Sequence, residues 1–152
     1  MSSPSSTRPV VSPFRNRADG FWQFMTDDTL IGRGTTREVY SFLFDPRYVV
    51  KYEYSVGTFC NVNEFRTWEY SGSDMQKWLA PCIALSPCSR YLIQARTTPC
   101  KAEDLPRLVP AFFTDKGLPN FGWYEDRIVC HDYGYTIPNY SMRMVKANWW
   151  LL

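Results

Sequence analysis

What this chain lacks narrows the field first. No run of apolar residues approaches the roughly 20 that a membrane-spanning helix needs. The N-terminus carries no basic-then-apolar leader, so a soluble, cytoplasmic protein is expected. The five cysteines, Cys60, Cys82, Cys88, Cys100 and Cys130, form an odd set with no CxxC spacing. They support neither a disulfide framework nor a zinc site and fit a reducing compartment. An excess of one charge is missing as well: the formal net charge is +2, too small by itself to argue for a nucleic-acid partner. Histidine occurs once, at His131, with no serine or cysteine in any recognisable catalytic relation to it. A structural role is expected for it, or support for the loop that follows. No segment repeats another.

What is present describes a single folded domain. At 152 residues, 45% of them hydrophobic and 21% charged, the chain can bury a sizeable core. Aromatic residues reach 17%, with 6 Trp, 10 Tyr and 10 Phe, more flat apolar surface than a small core needs; part of it is expected at an interface. Residues 1–19 are Ser/Pro-rich and include Arg8, Arg15 and Arg17. Such a segment cannot fold alone and reads as an extended arm, either solvated or laid along a partner.

Element signals follow the arm. Strands are expected around Thr29–Gly32 and Glu38–Asp45, joined by a glycine loop, with a turn at Asp45-Pro46. Arg47–Tyr54 alternates β-branched and aromatic residues and predicts a third strand. Val62, Phe65, Trp68 and Glu69 recur at helical spacing within Asn61–Leu79, with a weak point at Ser71-Gly72. Cys82–Leu85, Tyr91–Ala95 and Ile128–His131 read as further short strands. Pro99, Pro106 and Pro110 forbid a long helix between Thr97 and Ala111.

Several residues carry chemistry in an ordered series. Gly32-Arg33-Gly34 sits between two strands, with Val39 beyond it; glycine lets backbone N–H groups approach a phosphate because no Cβ intervenes, though a plain β-turn reads the same way. Lys51, flanked by Val49 and Val50, needs a counter-ion if buried, and Glu64 on the next helix can supply it, with Glu69 as competitor. The bland alternative for Lys51 is a solvated strand face. Asp115 and Asn120 are separated by four residues within a Pro/Gly-containing loop, which is also a common turn pattern. Asp132-Tyr133-Gly134 follows a strand, and carboxylate and amide oxygens of this kind suit a hard cation.

In this order the residues resemble the protein-kinase set: G-x-G-x-x-G-x-V, the V-A-I-K lysine, its helical glutamate, H-R-D-x-x-x-x-N and D-F-G. Arg37 stands where the third glycine would be, and Phe113 and Thr114 where His and Arg would be. The segment from about Leu30 to Gly134 is similar to small kinase-like proteins encoded by bacteriophages. In those a line N-x-G-x-x-x-D-G-R-x-V-x-x-D-Y-G recurs, and residues 120–134, NFGWYEDRIVCHDYG, follow it closely. The resemblance implies an α+β fold, with a kinase-like small lobe of about five antiparallel strands plus one helix and a drastically shortened large lobe. It divides the chain into the arm (1–19), a truncated kinase-like domain (20–145) and an apolar tail (146–152). It implies ATP and Mg2+ as ligands: Gly32, Gly34, Val39, Lys51 and Glu64 on the nucleotide, Asn120 and Asp132 on the metal, and Asp115 with Lys51 as catalytic residues.

The later kinase elements are expected to be missing, since eighteen residues follow Gly134 in these 152. Without a helical platform, Phe112, Phe113 and Trp123 are expected to be exposed around Asp115, with Trp149–Leu152 adding a second apolar surface. Three functions follow. One is a non-catalytic protein that binds a host or virion protein, or a second copy, through these surfaces while possessing the residues for Mg-ATP. The second is a minimal ATP-dependent phosphotransferase. The third is a nucleic-acid binder using Arg8, Arg15 and Arg17 interleaved with Phe14, Phe21 and Trp22.

Overall fold

In a computed structural model of the chain, the described residues are Trp22, 25–135 and 140–151. The expected arm, with Arg8, Phe14, Arg15 and Arg17, lies outside them, as does Phe21.

Five strands form one antiparallel sheet: β1 (Thr26–Arg33), β2 (Arg37–Phe42), β3 (Tyr48–Glu53), β4 (Cys82–Leu85) and β5 (Tyr91–Ala95), in the order β1-β2-β3-β5-β4. The third strand is central because its residues are buried on both faces: Val50 is fully covered and Lys51 nearly so. Its register places Lys51 opposite Val39 on one side and Leu92 on the other. Asp45 turns the chain between β2 and β3 by accepting the Arg47 backbone N–H at 2.9 Å.

Helix α1 (Cys60–Tyr70) follows β3, and a single further turn, α2 (Ser73–Gln76), follows α1. The helical signal expected to reach Leu79 breaks at Ser71, whose backbone is extended and whose hydroxyl is drawn back to the Thr67 carbonyl. The start of α1 has no side-chain cap of its own. The buried Glu53 carboxylate at the end of β3 serves instead, accepting the Cys60 and Asn61 N–H groups at 2.9 Å each.

Beyond Ala95 the chain makes β6 (Thr98–Pro99), β7 (Leu108–Pro110), β8 (Phe121–Tyr124), β9 (Arg127–Cys130) and β10 (Met144–Lys146). These build a three-stranded sheet, β6-β8-β9, and a two-stranded pair, β10-β7, both antiparallel.

The expected α+β fold, a kinase-like small lobe with a shortened large lobe, is therefore corrected. The chain is β-rich, with three antiparallel sheets and, among the described residues, α-helices of only eleven and four residues. Nor does the C-terminal half form a lobe around its own core. One buried cluster joins Met75, Leu79, Cys82 and Leu92 to Val109, Phe112, Phe113, Phe121, Cys130 and Tyr133. The physical reason lies in the prolines: Pro99, Pro106, Pro110 and Pro119 break the segment into strands and turns too short to pack independently.

The exposed aromatic face expected around Asp115 is corrected by the same core. Phe112 is 0% and Phe113 2% exposed. Phe113 packs edge-on against Trp78 and Phe121, with ring centroids at 6.4 and 5.3 Å. Trp123 is half-buried and donates its indole N–H to Asp104 at 3.3 Å. The apolar C-terminus folds back over this core: Trp149 meets the Phe121 ring edge-on at 4.8 Å and donates to the Pro106 carbonyl at 2.9 Å. Trp150 and Leu151 remain more than half exposed. Among the described residues, no helix is long and apolar enough to cross a membrane.

Candidate functional site

The site lies where the central strand meets α1 and the segment after β9. Lys51 projects from β3 and donates to Glu64 at 2.7 Å and to the His131 carbonyl. Glu64, wholly buried on α1, also accepts from Arg37 of β2, from the Gln94 amide at 3.4 Å and from the Tyr133 backbone N–H at 3.4 Å. Three of those donors converge on Oε1 and Arg37 takes Oε2, so both carboxylate oxygens are engaged. Arg37 reaches past Glu64 to Asp132, and it also donates to Asn61 at 3.3 Å. Two cations and two carboxylates thus form a closed, neutral cluster with three of the four side chains buried; Asp132 is about half exposed.

Burial and the Arg37 guanidinium draw Lys51 below the usual lysine range, against the pull of Asp132. Asp132 moves the other way from what burial alone would do. Burial raises its carboxyl, but Lys51 and Arg37 outweigh it and hold the group below the ordinary aspartate value.

His131 is held from both ring nitrogens. Nε2 faces the Pro119 carbonyl at 2.9 Å and must be the donor there; Nδ1, 2.7 Å from the Thr97 hydroxyl, is then the acceptor. That tautomer is neutral, and burial and the Lys51 charge push the imidazole pKa down to about 4. The ring ties Thr97, just before β6, and the loop before β8 to the cluster, the structural role expected of a lone histidine.

A cleft of about 620 Å³ opens beside the cluster, within the range typical of small-molecule sites. Its walls include Ile31, Gly32, Val39, Val49 and Lys51 from the sheet and Leu118, Pro119, Phe121 and His131 from the C-terminal half. Gly32 leaves open space where a Cβ would stand.

The residues expected to act together are only partly gathered. Gly32, Val39 and Lys51 line the cleft, and Glu64 and Asp132 join Lys51 in the ion cluster. Gly34 is outside the lining; it closes a turn through a 2.8 Å bond from its N–H to the Arg37 carbonyl. Asp115 is exposed, does not line the cleft, and accepts its own loop's Gly117 N–H at 3.0 Å. Asn120 contributes backbone, its carbonyl accepting the His131 N–H at 2.9 Å. Glu69 is exposed, so Glu64 alone serves Lys51.

These residues do not fit a magnesium ion as the resemblance implies. The carboxylate assigned to the metal, Asp132, is already paired with Arg37 through one oxygen, so a cation entering there meets a guanidinium that offsets the charge it would use. Among the described residues, no three His, Cys, Asp or Glu side chains converge as metal ligands.

Sequence reasoning missed the central role of Arg37, visible only as a departure from a glycine pattern. It also missed Gln94, whose Oε1 is buried without a hydrogen-bond partner, and Asn61, which ties α1 to the β3 and β4–β5 backbone through its side-chain amide. No local signal marks either one. No protein-family model matches the chain, and no curated protein matches its sequence. The likeness to phage-encoded proteins therefore rests on the motif residues themselves.

Proposed function

We propose that this protein is a non-catalytic binding protein that attaches to another protein, a host or virion component in the phage setting its motifs suggest. One observation carries the proposal: Arg37 pairs with both Glu64 and Asp132. In a phosphotransferase those two carboxylates would serve the lysine and the metal ion. Here a side chain of the chain itself satisfies them, and the cluster works as a brace between β2, α1 and the segment after β9. Asp115, the base such a reaction would need, is bound into its own turn away from the cleft.

The contact surface is assigned to the apolar residues that folding leaves outside the core near the C-terminus: Leu108, Met144, Trp150 and Leu151, each 44% exposed or more. Trp is well suited to anchor such a contact.

A second reading keeps a nucleotide in the cleft without a metal. It is favoured by the cleft's volume and by Gly32, Val39 and Lys51 in its walls. Two measurements test these readings, the first against a phosphotransferase and the second between the two. With labelled ATP and magnesium, the protein transfers no phosphate to itself or to proteins of a host lysate; transfer that vanishes in Asp132→Ala overturns the proposal. A melting curve at saturating ATP, with and without magnesium, stays unshifted under the first reading and rises equally in both conditions under the second.

A further inference from the structure

Away from the cleft, a second pocket of about 400 Å³ lies between the start of α1 and the turn that joins β4 to β5, within the size range of binding sites. Val56, Phe59 and Val62 form its apolar side, and Ser55, Ser89 and Arg90 its polar side. The two walls are pinned together. The Asn61 amide on α1 donates to the Arg90 carbonyl at 2.9 Å, and the Glu53 N–H of β3 donates to the same carbonyl at 2.8 Å. Phe59 at φ 55° and Ser89 at φ 64° both hold left-handed backbone, and Phe59 remains 62% exposed. A bulky residue in that conformation is an outlier, and here folding recovers little by burying it.

The polar side has one group with donors to spare. Glu53 also lines the pocket, yet both its carboxylate oxygens are taken, by the Cys60 and Asn61 N–H groups and the Thr58 hydroxyl. Arg90 spends two of its five donors on the Glu53 and Tyr54 carbonyls at 3.3 Å. Its guanidinium carbon lies 5.7 Å from the centre of the Tyr52 ring, and among the described residues no carboxylate is within ion-pair distance of it.

We propose that this pocket docks a peptide segment of another protein in which a bulky apolar side chain stands beside an aspartate or glutamate. The apolar side chain packs against Val56, Phe59 and Val62, and the carboxylate takes the open donors of Arg90 next to the Ser55 and Ser89 hydroxyls. Charge decides the class of occupant. Arg90 is the single cation in the lining, which suits one carboxylate better than a phosphate dianion. A basic segment meets an unopposed guanidinium and is refused. None of these residues belongs to the C-terminal contact surface, so the site stands or falls apart from it.

Panning a short random-peptide library on the protein tests the site, with affinities of the enriched peptides read by fluorescence polarisation. Those peptides set an acidic residue beside a bulky apolar one. Arg90→Gln weakens them about tenfold. Phe59→Gly removes part of the apolar wall and weakens them by a similar factor, while its melting temperature does not fall, because glycine accepts φ 55° without strain. That variant separates loss of the site from loss of folding. Trp150→Ala leaves the affinity unchanged, so failure of this pocket and failure of the C-terminal surface are read apart. No enrichment, enriched peptides without an acidic residue, unchanged affinity in the two pocket variants, or affinity lost in Trp150→Ala each overturns the proposal.

Discussion

Arg37 and Asp132, 95 positions apart in sequence, are joined by an ion pair that links the second strand to the segment after β9. The same guanidinium holds Glu64, and through Glu64 it is coupled to Lys51. Buried charges of this kind are costly to strip of a partner even where the intact pair adds little net stability. The cluster therefore predicts an ordered series of losses. Glu64→Gln leaves two buried cations facing a neutral amide and is the most damaging, costing about 3–5 kcal/mol. Arg37→Ala costs less, about 2–3 kcal/mol, since Glu64 keeps Lys51 and Asp132 is half open to water. Because the residues share partners, the double variant Arg37→Ala/Glu64→Gln loses less than the two single losses added together. Urea unfolding of the three variants measures all of these values.

The neutral histidine predicts how stability responds to acid. Folding lowers the His131 pKa to about 4 from its ordinary value near 6.5. Between those two values the unfolded chain holds a proton that the native protein refuses, so stability falls as the pH drops through that window. At pH 5 the loss relative to pH 7 is about 2 kcal/mol from this group at most. In His131→Gln that part of the pH dependence disappears. Asp132 acts below this window: its depressed pKa contributes stability above the ordinary aspartate value that is lost as pH falls further. Denaturation midpoints at pH 7 and pH 5, for both proteins, isolate the histidine.

Much of the main sheet was legible because its signals are local. Alternation in Arg47–Tyr54 marks a strand that forms over Tyr48–Glu53, and the helical spacing after Asn61 marks α1. The pairing of Lys51 with Glu64 was also readable, since a buried lysine on a strand needs a carboxylate nearby. The fold as a whole was not legible. Nothing in Phe112 or Phe113 says that residues from β8 and the C-terminal segment return to cover them, and covering them removes the need for a second lobe. Arg37 was hidden for a related reason: its partners are 27 and 95 positions distant, beyond the reach of any periodicity.

Two glycines that look alike in sequence are predicted to behave oppositely. A Cβ on Gly122 would stand 2.7 Å from the Thr98 carbonyl oxygen and 2.8 Å from the Thr97 hydroxyl, where β8 presses against β6. Gly122→Ala forces that backbone apart and costs about 1–3 kcal/mol. A Cβ on Gly32 meets nothing within 4 Å, so Gly32→Ala leaves the melting temperature within a degree or two of the starting protein. Thermal unfolding of both variants checks the contrast. Equal losses would mean that the end of β1 around Gly32 is packed more tightly than its open surroundings indicate.

The two adjacent tryptophans near the C-terminus separate stability from binding. Trp149 is half-buried, meets Phe121 edge-on and donates to Pro106, so it holds the last segment onto the shared core. Trp149→Ala removes the ring contact and the hydrogen bond together; a fully buried Trp costs about 3–5 kcal/mol on truncation, and a half-buried one about 2–3 kcal/mol. Trp150 is 56% exposed, and its backbone is anchored, accepting from Leu118 at 2.8 Å and donating to Lys116 at 2.9 Å. Trp150→Ala retains both backbone bonds and shifts stability by less than about 0.5 kcal/mol. If the proposed contact surface is right, this silent substitution weakens association with the protein partner while the neighbouring, destabilising one acts only through folding. Unfolding curves and capture of the partner, run on the same two variants, distinguish the roles. A Trp150→Ala protein that binds as tightly as the original would move the contact elsewhere on the molecule.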